Sequence, residues 1–433
     1  MVLNKRYKLT MKRSCSCSMP GVWRAASHNQ GAIVLYHSPK ACSHVTREMD
    51  LSSYYYAMAR RESLGDLYTA PLISSDLKAE HAIFGGADQL RDCLLSVAAE
   101  YKPAYILIAN SCVAGVIGDD VVAVAKEAEA KLGVPILTVP CSGFMDGEYY
   151  GGYYYAAKAM ADRFMEPLPK EAYRVTLLGL HSGLHSLEIQ EMSSLLTGFS
   201  FSIAAVFPGY SSLADIERVA ASSLLIPMGG RSKAHEWMCR LASDLQERFA
   251  IPFPEREFPI GWSGTKRWLQ EIGHVLGMEQ KAAAIVKLQE ERLQQTITRY
   301  QGSMRQVGRL VLAIGRPLPF FDPDWVLEWL QLLDIKVEFV ILFDELTAAQ
   351  QDEMRQRVAG GGTVPIVDEA AGVLLLKESD ILITTNELEN PEVRQFLLPM
   401  LPPIGVGGLL AVTELFIRLI RRMRRQGVVQ YGW

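Results

Sequence analysis

The chain has 433 residues, 44 basic and 48 acidic side chains, and a formal net charge of −4. With 49% hydrophobic and 21% charged residues it has a globular composition, which excludes a disordered, a collagen-like or a disulfide-dense chain. The near-neutral balance argues against a nucleic-acid partner, which needs a strongly basic face, and the length predicts two to four domains, each able to bury its own core.

The first residues, MVLNKRYKLTMKRSC, are basic, but no apolar run follows as a secretory signal requires. The cysteines are Cys15, Cys17, Cys42, Cys93, Cys112, Cys141 and Cys239. An odd count in a long chain does not read as a disulfide framework. A reducing, cytoplasmic setting is expected, where cysteines serve as metal ligands or core residues.

From residue 104 onward, short apolar runs alternate with longer amphipathic ones. AYILIAN (104–110) and VPILTVP (134–140) read as buried strands flanking a helix from Asp119 to Leu132. RVTLLGL (174–180), FSIAAVFP (201–208) and SSLLIP (222–227) form a second series, with helices at Leu187–Leu196 and Leu213–Ala220. A long polar helix from Glu279 to about Arg299 leads to a third series: GRLVLAIG (308–315), IKVEFVILF (335–343) and DILITT (380–385). Alternating strand and helix implies parallel sheets covered on both faces. Three restarts predict an α/β protein of three doubly wound, Rossmann-like parallel-sheet domains around a central cleft. Their expected limits are 1–170, 171–304 and 305–433, the last ending in a C-terminal helix. The stretch from Leu397 to Ile420 is apolar, but Pro402, Pro403, Glu414 and Arg418 interrupt it. We read a helix from about Gly408 with one apolar face and a basic end, RLIRRMRR, and expect no membrane span.

Ligands of such sheets sit at the carboxyl ends of the strands. No phosphate-binding loop or dinucleotide fingerprint occurs there, and AGGGT (359–363) lacks the lysine and the spacing. Any use of ATP would therefore fall to a partner chain. Cys17 and Cys42, 25 residues apart, lie among small and polar residues, and Cys112 directly follows a predicted strand. Three thiolates from three loops suit an iron–sulfur cluster, although scattered cysteines are more often structural.

The neighbouring residues narrow this choice. LYHSPKAC, IFGGADQLRDCL (83–94), SCVAGVIGDDVVAV (111–124) and VPCSGF (139–144) occur in order over the first 170 residues. This series resembles the nitrogenase component 1 family, nearest at the N-terminus to the alpha-type subunit of the cofactor-assembly scaffold. The resemblance continues more faintly through LLGLHSGLHSLEIQEM and the restart at Arg305–Gly315. The family includes nitrogenase catalytic subunits, cofactor scaffolds and protochlorophyllide-reductase-like subunits. It implies three cluster cysteines per subunit at a subunit interface. Residue by residue these fall on Cys17, Cys42 and Cys112, with Cys15 an alternative to Cys17. It further implies a 4Fe-4S cluster or a P-cluster-like 8Fe-7S cluster, completed by a homologous second subunit or by a second copy in a homodimer. Electrons would come from a nitrogenase-type iron protein that hydrolyses ATP. Asp119 and Asp120 are expected to cap the next helix rather than bind iron.

The resemblance fails at one point. In the catalytic subunit of nitrogenase the active-site metallocofactor hangs from a cysteine of the second domain and a histidine of the third. Here the last histidine is His274, and Cys239 lies past the expected place. The expectation is a reductase subunit or an assembly scaffold, with a second metallocofactor or a tetrapyrrole-like ligand in the cleft, and a non-catalytic small-molecule binding protein is the third alternative. Other candidates at strand ends are His181 and His185, as pocket or proton-transfer groups, and Arg231 and Lys233, as an anion site at a helix start. HEWMC (235–239) lacks the second histidine of a zinc-protease motif. Cys93 and Cys239 read as core residues. EYYGGYYYAAKAM (148–160) reads equally as an interface or as internal helix packing.

Overall fold

In a computed structural model the chain is described over residues 17–59, 68–145, 147–180, 184, 186–230, 233–315, 323–360, 364–377, 380–388, 393–399, 402–421 and 429–431. Three sheets, each wholly parallel, follow one another along it. The first has β1 (Ala32–His37), β2 (Leu72–Ser74), β3 (Tyr105–Asn110) and β4 (Ile136–Val139) in the order β2-β1-β3-β4. Its helices are α1 (Met19–Ala26), α2 (Lys40–Ala59), α3 (His81–Phe84), α4 (Ala87–Tyr101), α5 (Cys112–Ile117), α6 (Val121–Leu132) and α7 (Tyr149–Phe164). The order reverses between β1 and β3, and at such a switch point the loops leave in opposite directions and open a crevice. Asp120 caps α6, accepting from Ala123 N at 2.9 Å, whereas Asp119 does not.

The second sheet has β5 (Arg174–Leu178), β6 (Ser202–Phe207) and β7 (Leu224–Pro227) in the order β6-β5-β7. With it go α8 (Leu187–Gly198), α9 (Leu213–Glu217), α10 (Lys233–Phe249), α11 (Gly261–Leu276) and α12 (Glu279–Met304). The expected helix over Leu213–Ala220 is α only to Glu217; its last turn tightens to a 3-10 turn, Arg218–Ala221. The third sheet has β8 (Leu310–Ile314), β9 (Val337–Leu342), β10 (Ile366–Asp368), β11 (Ile381–Thr384), β12 (Arg394–Leu397) and β13 (Val429–Tyr431). Their order, β10-β9-β8-β11-β12-β13, is that of a dinucleotide-binding sheet. Its helices are α13 (Pro323–Leu332), α14 (Ala348–Gly360), α15 (Glu369–Leu375) and α16 (Gly405–Arg421). At its switch point a Cβ on Gly315 would lie 2.6 Å from Glu345 Oε1 and 2.7 Å from Asn386 Oδ1.

The tyrosine-rich segment forms α7 and packs internally. Tyr150, Tyr153 and Tyr154 are buried, and Tyr154 donates to Asp244 Oδ2 at 2.6 Å. Glycines let α1 approach α7 closely: a Cβ on Gly21 would fall 1.8 Å from Tyr149 O, and one on Gly152 2.0 Å from Ser18 O. A core of α1, α7 and α10 joins the first sheet to the second, and another, built on α8, α11, α12, α13 and α16, joins the second to the third.

The second and third units meet through two like-built turns. Ile260 and Ile404 form an antiparallel bridge, and Gly405 N donates to Pro259 O at 2.8 Å. Gly261 (φ +66°) and Gly405 (φ +64°) adopt left-handed backbone, which glycine reaches without steric cost. Each turn starts a helix whose first N–H groups are met by a carboxylate of the other unit. Glu328 of α13 accepts from Trp262 N (3.1 Å) and Ser263 N (2.8 Å) at the start of α11. Glu191 of α8 accepts from Gly407 N (2.7 Å) at the start of α16. A helix start presents unpaired donors and a positive partial charge, so a carboxylate there satisfies both. This explains why α16 begins at Gly405 rather than near Gly408: the prolines end before it, and Glu191 supports the added turn. Among the described residues no helix is long and apolar enough to cross a membrane.

Candidate functional site

Three of the predicted site residues lie at the carboxyl end of the first sheet, around its switch point. Cys17 immediately precedes the first turn of α1, Cys42 lies in the first turn of α2 after β1, and Cys112 opens α5 after β3. All three are partly buried. Tyr36, fully buried on β1, stands beside Cys17 and Cys42. Its hydroxyl donates to Met19 O at 2.7 Å and lies 3.2 Å from Thr46 Oγ1, which donates to Cys42 O at 3.1 Å. Burial pushes its phenol well above the ordinary tyrosine range, and the Cys17, Cys141 and Cys42 thiols add to the push. Burial also raises the Cys42 thiol; the Ser38 hydroxyl opposes this and Cys112 reinforces it.

Gly143 joins the first and third cysteine segments. With φ +56° it packs so closely that a Cβ would lie 2.9 Å from Cys112 N. Its carbonyl accepts from both the N–H (3.3 Å) and the hydroxyl (3.2 Å) of Ser18, next to Cys17. This is the physical content of the VPCSGF segment. Its cysteine, Cys141, is buried, and its thiol lies 3.6 Å from Asn110 O.

Sequence reasoning missed His37. Fully buried at the end of β1, it places Nδ1 2.9 Å from Ser75 Oγ and Nε2 2.9 Å from Asp119 Oδ2. Burial lowers its pKa and Asp119 partly restores it. Asp119 Oδ1 accepts from Gly86 N at 2.7 Å, and His37 O accepts from Ser111 N at 3.2 Å. The segment carrying Cys112 is thus tied to His37 at both ends. Asp119, expected to cap a helix, instead braces this histidine. Gly86 is required because a Cβ would lie 2.5 Å from Leu77 Cδ2 and 2.7 Å from Asp119 Oδ2. The histidine of LYHSPKAC and the aspartate pair of GVIGDD were the available signals.

Apolar side chains stand exposed beside the cysteines: Ile83 and Phe84 on α3, Val113 and Val116 on α5, and Phe144 and Met145 in the following loop. Phe84 is 86% and Val116 77% exposed, a pattern that marks a docking surface. Among the described residues no three cysteine, histidine or acidic side chains are grouped to hold a single metal ion. Among the described residues, the Cys112 thiol acts on Cys42. Soft thiol donors spread around one sheet end fit an iron–sulfur cluster with ligands from a second chain better than a one-ion centre.

The candidates of the second sheet are only partly described. His181, His185 and Arg231 lie outside the described residues. Lys233 opens α10, is exposed and pairs with Glu148 at 3.4 Å. Cys239 lies one turn after His235, its Sγ 3.4 Å from His235 Nε2. Burial, with Glu255 adding to it, pushes this thiol up to about 12.

The description "Nitrogenase component 1 type Oxidoreductase" matches residues 17–390. The chain belongs to the nitrogenase component 1 family. It is 28% identical over 277 residues to the nitrogenase iron-molybdenum cofactor biosynthesis protein NifE of Clostridium pasteurianum, covering 63% of this chain and 56% of that protein. It is 21% identical over 290 residues to the nitrogenase molybdenum-iron protein alpha chain of Methanosarcina barkeri, covering 65% and 52%. The chain thus spans about half the length of the curated relatives it matches. The structure of nitrogenase Cp1 at pH 5 superposes with a TM-score of 0.59 at 15% identity, over 97% of this chain and 91% of that one. This family member therefore has the nitrogenase-type fold of three Rossmann-like parallel sheets.

Proposed function

We propose that the chain is the iron–sulfur subunit of a nitrogenase-like two-component reductase. The observation that carries this reading is the gathering of Cys17, Cys42 and Cys112 at one sheet end, Cys17 and Cys42 beside Tyr36 and Cys112 beside Cys42. These three thiolates would hold a 4Fe-4S or 8Fe-7S cluster, and a homologous subunit or second copy, seated on the apolar face of α3 and α5, would complete it. When bound, the cluster supplies one-electron transfer. An ATP-hydrolysing iron protein would deliver the electrons, and the substrate would lie in the cleft between three units with limits near residues 170 and 304.

The chain's own residues have definable tasks in this reading. Tyr36 and Thr46 fix the backbone around Cys42 and Met19 through their hydroxyls. Gly143 brings the Cys17 and Cys112 segments together. Burial of Cys42 favours its neutral form, so loading with metal must displace a proton from it.

A second reading, a scaffold for assembling a nitrogenase-type metallocofactor, is favoured by the lack of any histidine after His274 and by the match to a cofactor biosynthesis protein. The test is anaerobic purification with co-expressed cluster-building machinery and partner. Iron and sulfide are quantified, and electron paramagnetic resonance spectra recorded, for wild type and Cys42→Ala. Iron in the wild type that the variant loses supports the cluster site; iron retained by the variant overturns it. Catalytic turnover with the iron protein favours the reductase. Iron release to an apo-acceptor without turnover favours the scaffold.

A further inference from the structure

Arg24 stands apart from every other residue of α1: the remaining seven of the eight are buried, whereas Arg24 is partly open. Its Nη2 donates to Tyr210 Oη at 3.3 Å, and its guanidinium carbon lies 5.8 Å from the centre of the Tyr210 ring. The groups that act on its charge are the phenols of Tyr210, Tyr149 and Tyr153. Among the described residues no carboxylate pairs with it. A neutral phenol does not balance a guanidinium, so the charge of the partly open Arg24 remains available to an incoming anion.

The surroundings are fixed. Tyr210 holds left-handed backbone (φ +54°) after Gly209 (φ +96°), a conformation a bulky residue adopts only when its neighbours impose it. His28 stacks on its ring at 4.8 Å between centroids. Tyr153 donates to Pro208 O at 3.1 Å, and Ser211 N donates to Asn29 Oδ1 at 3.2 Å, so the loop after β6 is tied to α7 and to the residues following α1. Gly179, just past β5, would place a Cβ 3.5 Å from Tyr153 Cε1. The arginine therefore reaches from the first unit to the carboxyl end of the second sheet, where ligands of such sheets bind.

We propose that Arg24, with Tyr149, Tyr153 and Tyr210, forms the receptor for a carboxylate on the organic ligand of this chain. A guanidinium offers paired donors that match a carboxylate in two parallel hydrogen bonds. One positive charge balances one carboxylate, whereas a phosphate dianion would exceed it. The phenol rings supply an apolar wall for the body of the ligand. This names the substrate class of the proposed interunit cleft and rests on that reading, but it does not require the cluster.

The test is calorimetric titration of the purified complex with benzoate, benzamide and inorganic phosphate, using wild type, Arg24→Gln, Arg24→Lys and Tyr210→Phe. Saturable benzoate binding is expected, at least tenfold tighter than benzamide or phosphate. Arg24→Gln should weaken it at least tenfold, with Arg24→Lys in between. Iron is quantified on every preparation, and iron content equal in wild type and Arg24→Gln separates this site from the fate of the cluster. Should Arg24→Gln not fold, Tyr210→Phe keeps the charge and is expected to weaken benzoate severalfold while leaving phosphate unchanged. Benzoate binding that is absent in the wild type, equal in Arg24→Gln, or weaker than that of phosphate overturns the proposal.

Discussion

The contact between Glu191 and the start of α16 can be tested by a double-mutant cycle. In Gly407→Ala the new methyl would lie 2.0 Å from Glu191 Oε2, far inside van der Waals contact. The carboxylate must swing away and lose the 2.7 Å bond from Gly407 N. A hydrogen bond to a charged group contributes about 1.5–3 kcal/mol, and forcing a methyl into a filled site costs about 1–3 kcal/mol more. Alanine recovers about 1 kcal/mol of helix propensity over glycine. The net expectation is a loss of about 3 kcal/mol. In a Glu191→Ala background the methyl enters vacated space, so the same substitution should be neutral or stabilise by up to about 1 kcal/mol. The coupling should therefore reach about 3–4 kcal/mol, at or just above the upper end for contacting residues. Urea unfolding followed by circular dichroism reads each midpoint. Equal cost of Gly407→Ala in both backgrounds, within about 0.5 kcal/mol, would refute the contact as the reason this position is glycine.

Four further outcomes are expected. Glu328→Ala removes the acceptor for Trp262 N, Ser263 N and the Ser263 hydroxyl, and should lower stability by about 2–3 kcal/mol in the same assay. Gly86→Ala forces apart Leu77, Asp119 and His37, and should cost about 1–3 kcal/mol, read as a lower unfolding midpoint. His37 has a folded pKa below its ordinary value of 6.5, so the unfolded chain binds the proton first as pH falls. Stability should decline from about pH 6.5 down to the folded pKa, and His37→Gln should flatten that part of the pH profile. Glu191 has the opposite sign: burial raises its folded pKa above 4.5, so the folded chain takes up the proton first. Its contribution to stability should improve as pH falls through the folded pKa and level off below about 4.5, and Glu191→Gln should abolish that slope.

Much of the fold was legible because its central strands are continuous apolar runs. β3, β5, β7, β8 and β11 lie inside the predicted segments and are almost wholly buried. Pattern reading missed β1, although it is six residues long and fully buried, and also β2, β10, β12 and β13, which are three or four residues long. β2 and β10 are edge strands with half-exposed side chains, so neither alternation nor an apolar run marks them. At the site, the placement of Cys112 at a strand end followed from the strand–loop order, but Tyr36, the neighbour of Cys17 and Cys42, did not, since it lies inside a strand that pattern reading missed. Asp119 was misassigned because two adjacent aspartates before a helix look alike in sequence, and only the packing of His37 tells them apart. Arg24 carried a signal that went unread: a single charge in an otherwise apolar and small-residue helix.

The third sheet has the strand order of a nucleotide-binding unit, but the point where a phosphate would approach the backbone is already occupied by an acid. Glu345 Oε1 accepts from Asn386 Nδ2 at 2.7 Å, and a Cβ on Gly315 would lie 2.6 Å from this oxygen. Gly315 N, which would otherwise face an incoming anion, donates to Thr385 Oγ1. Among the described residues, a polyphosphate entering there would meet the Glu345 carboxylate and a Gly315 donor already engaged. The glycine thus makes room for the protein's own carboxylate within the topology of a nucleotide-binding sheet.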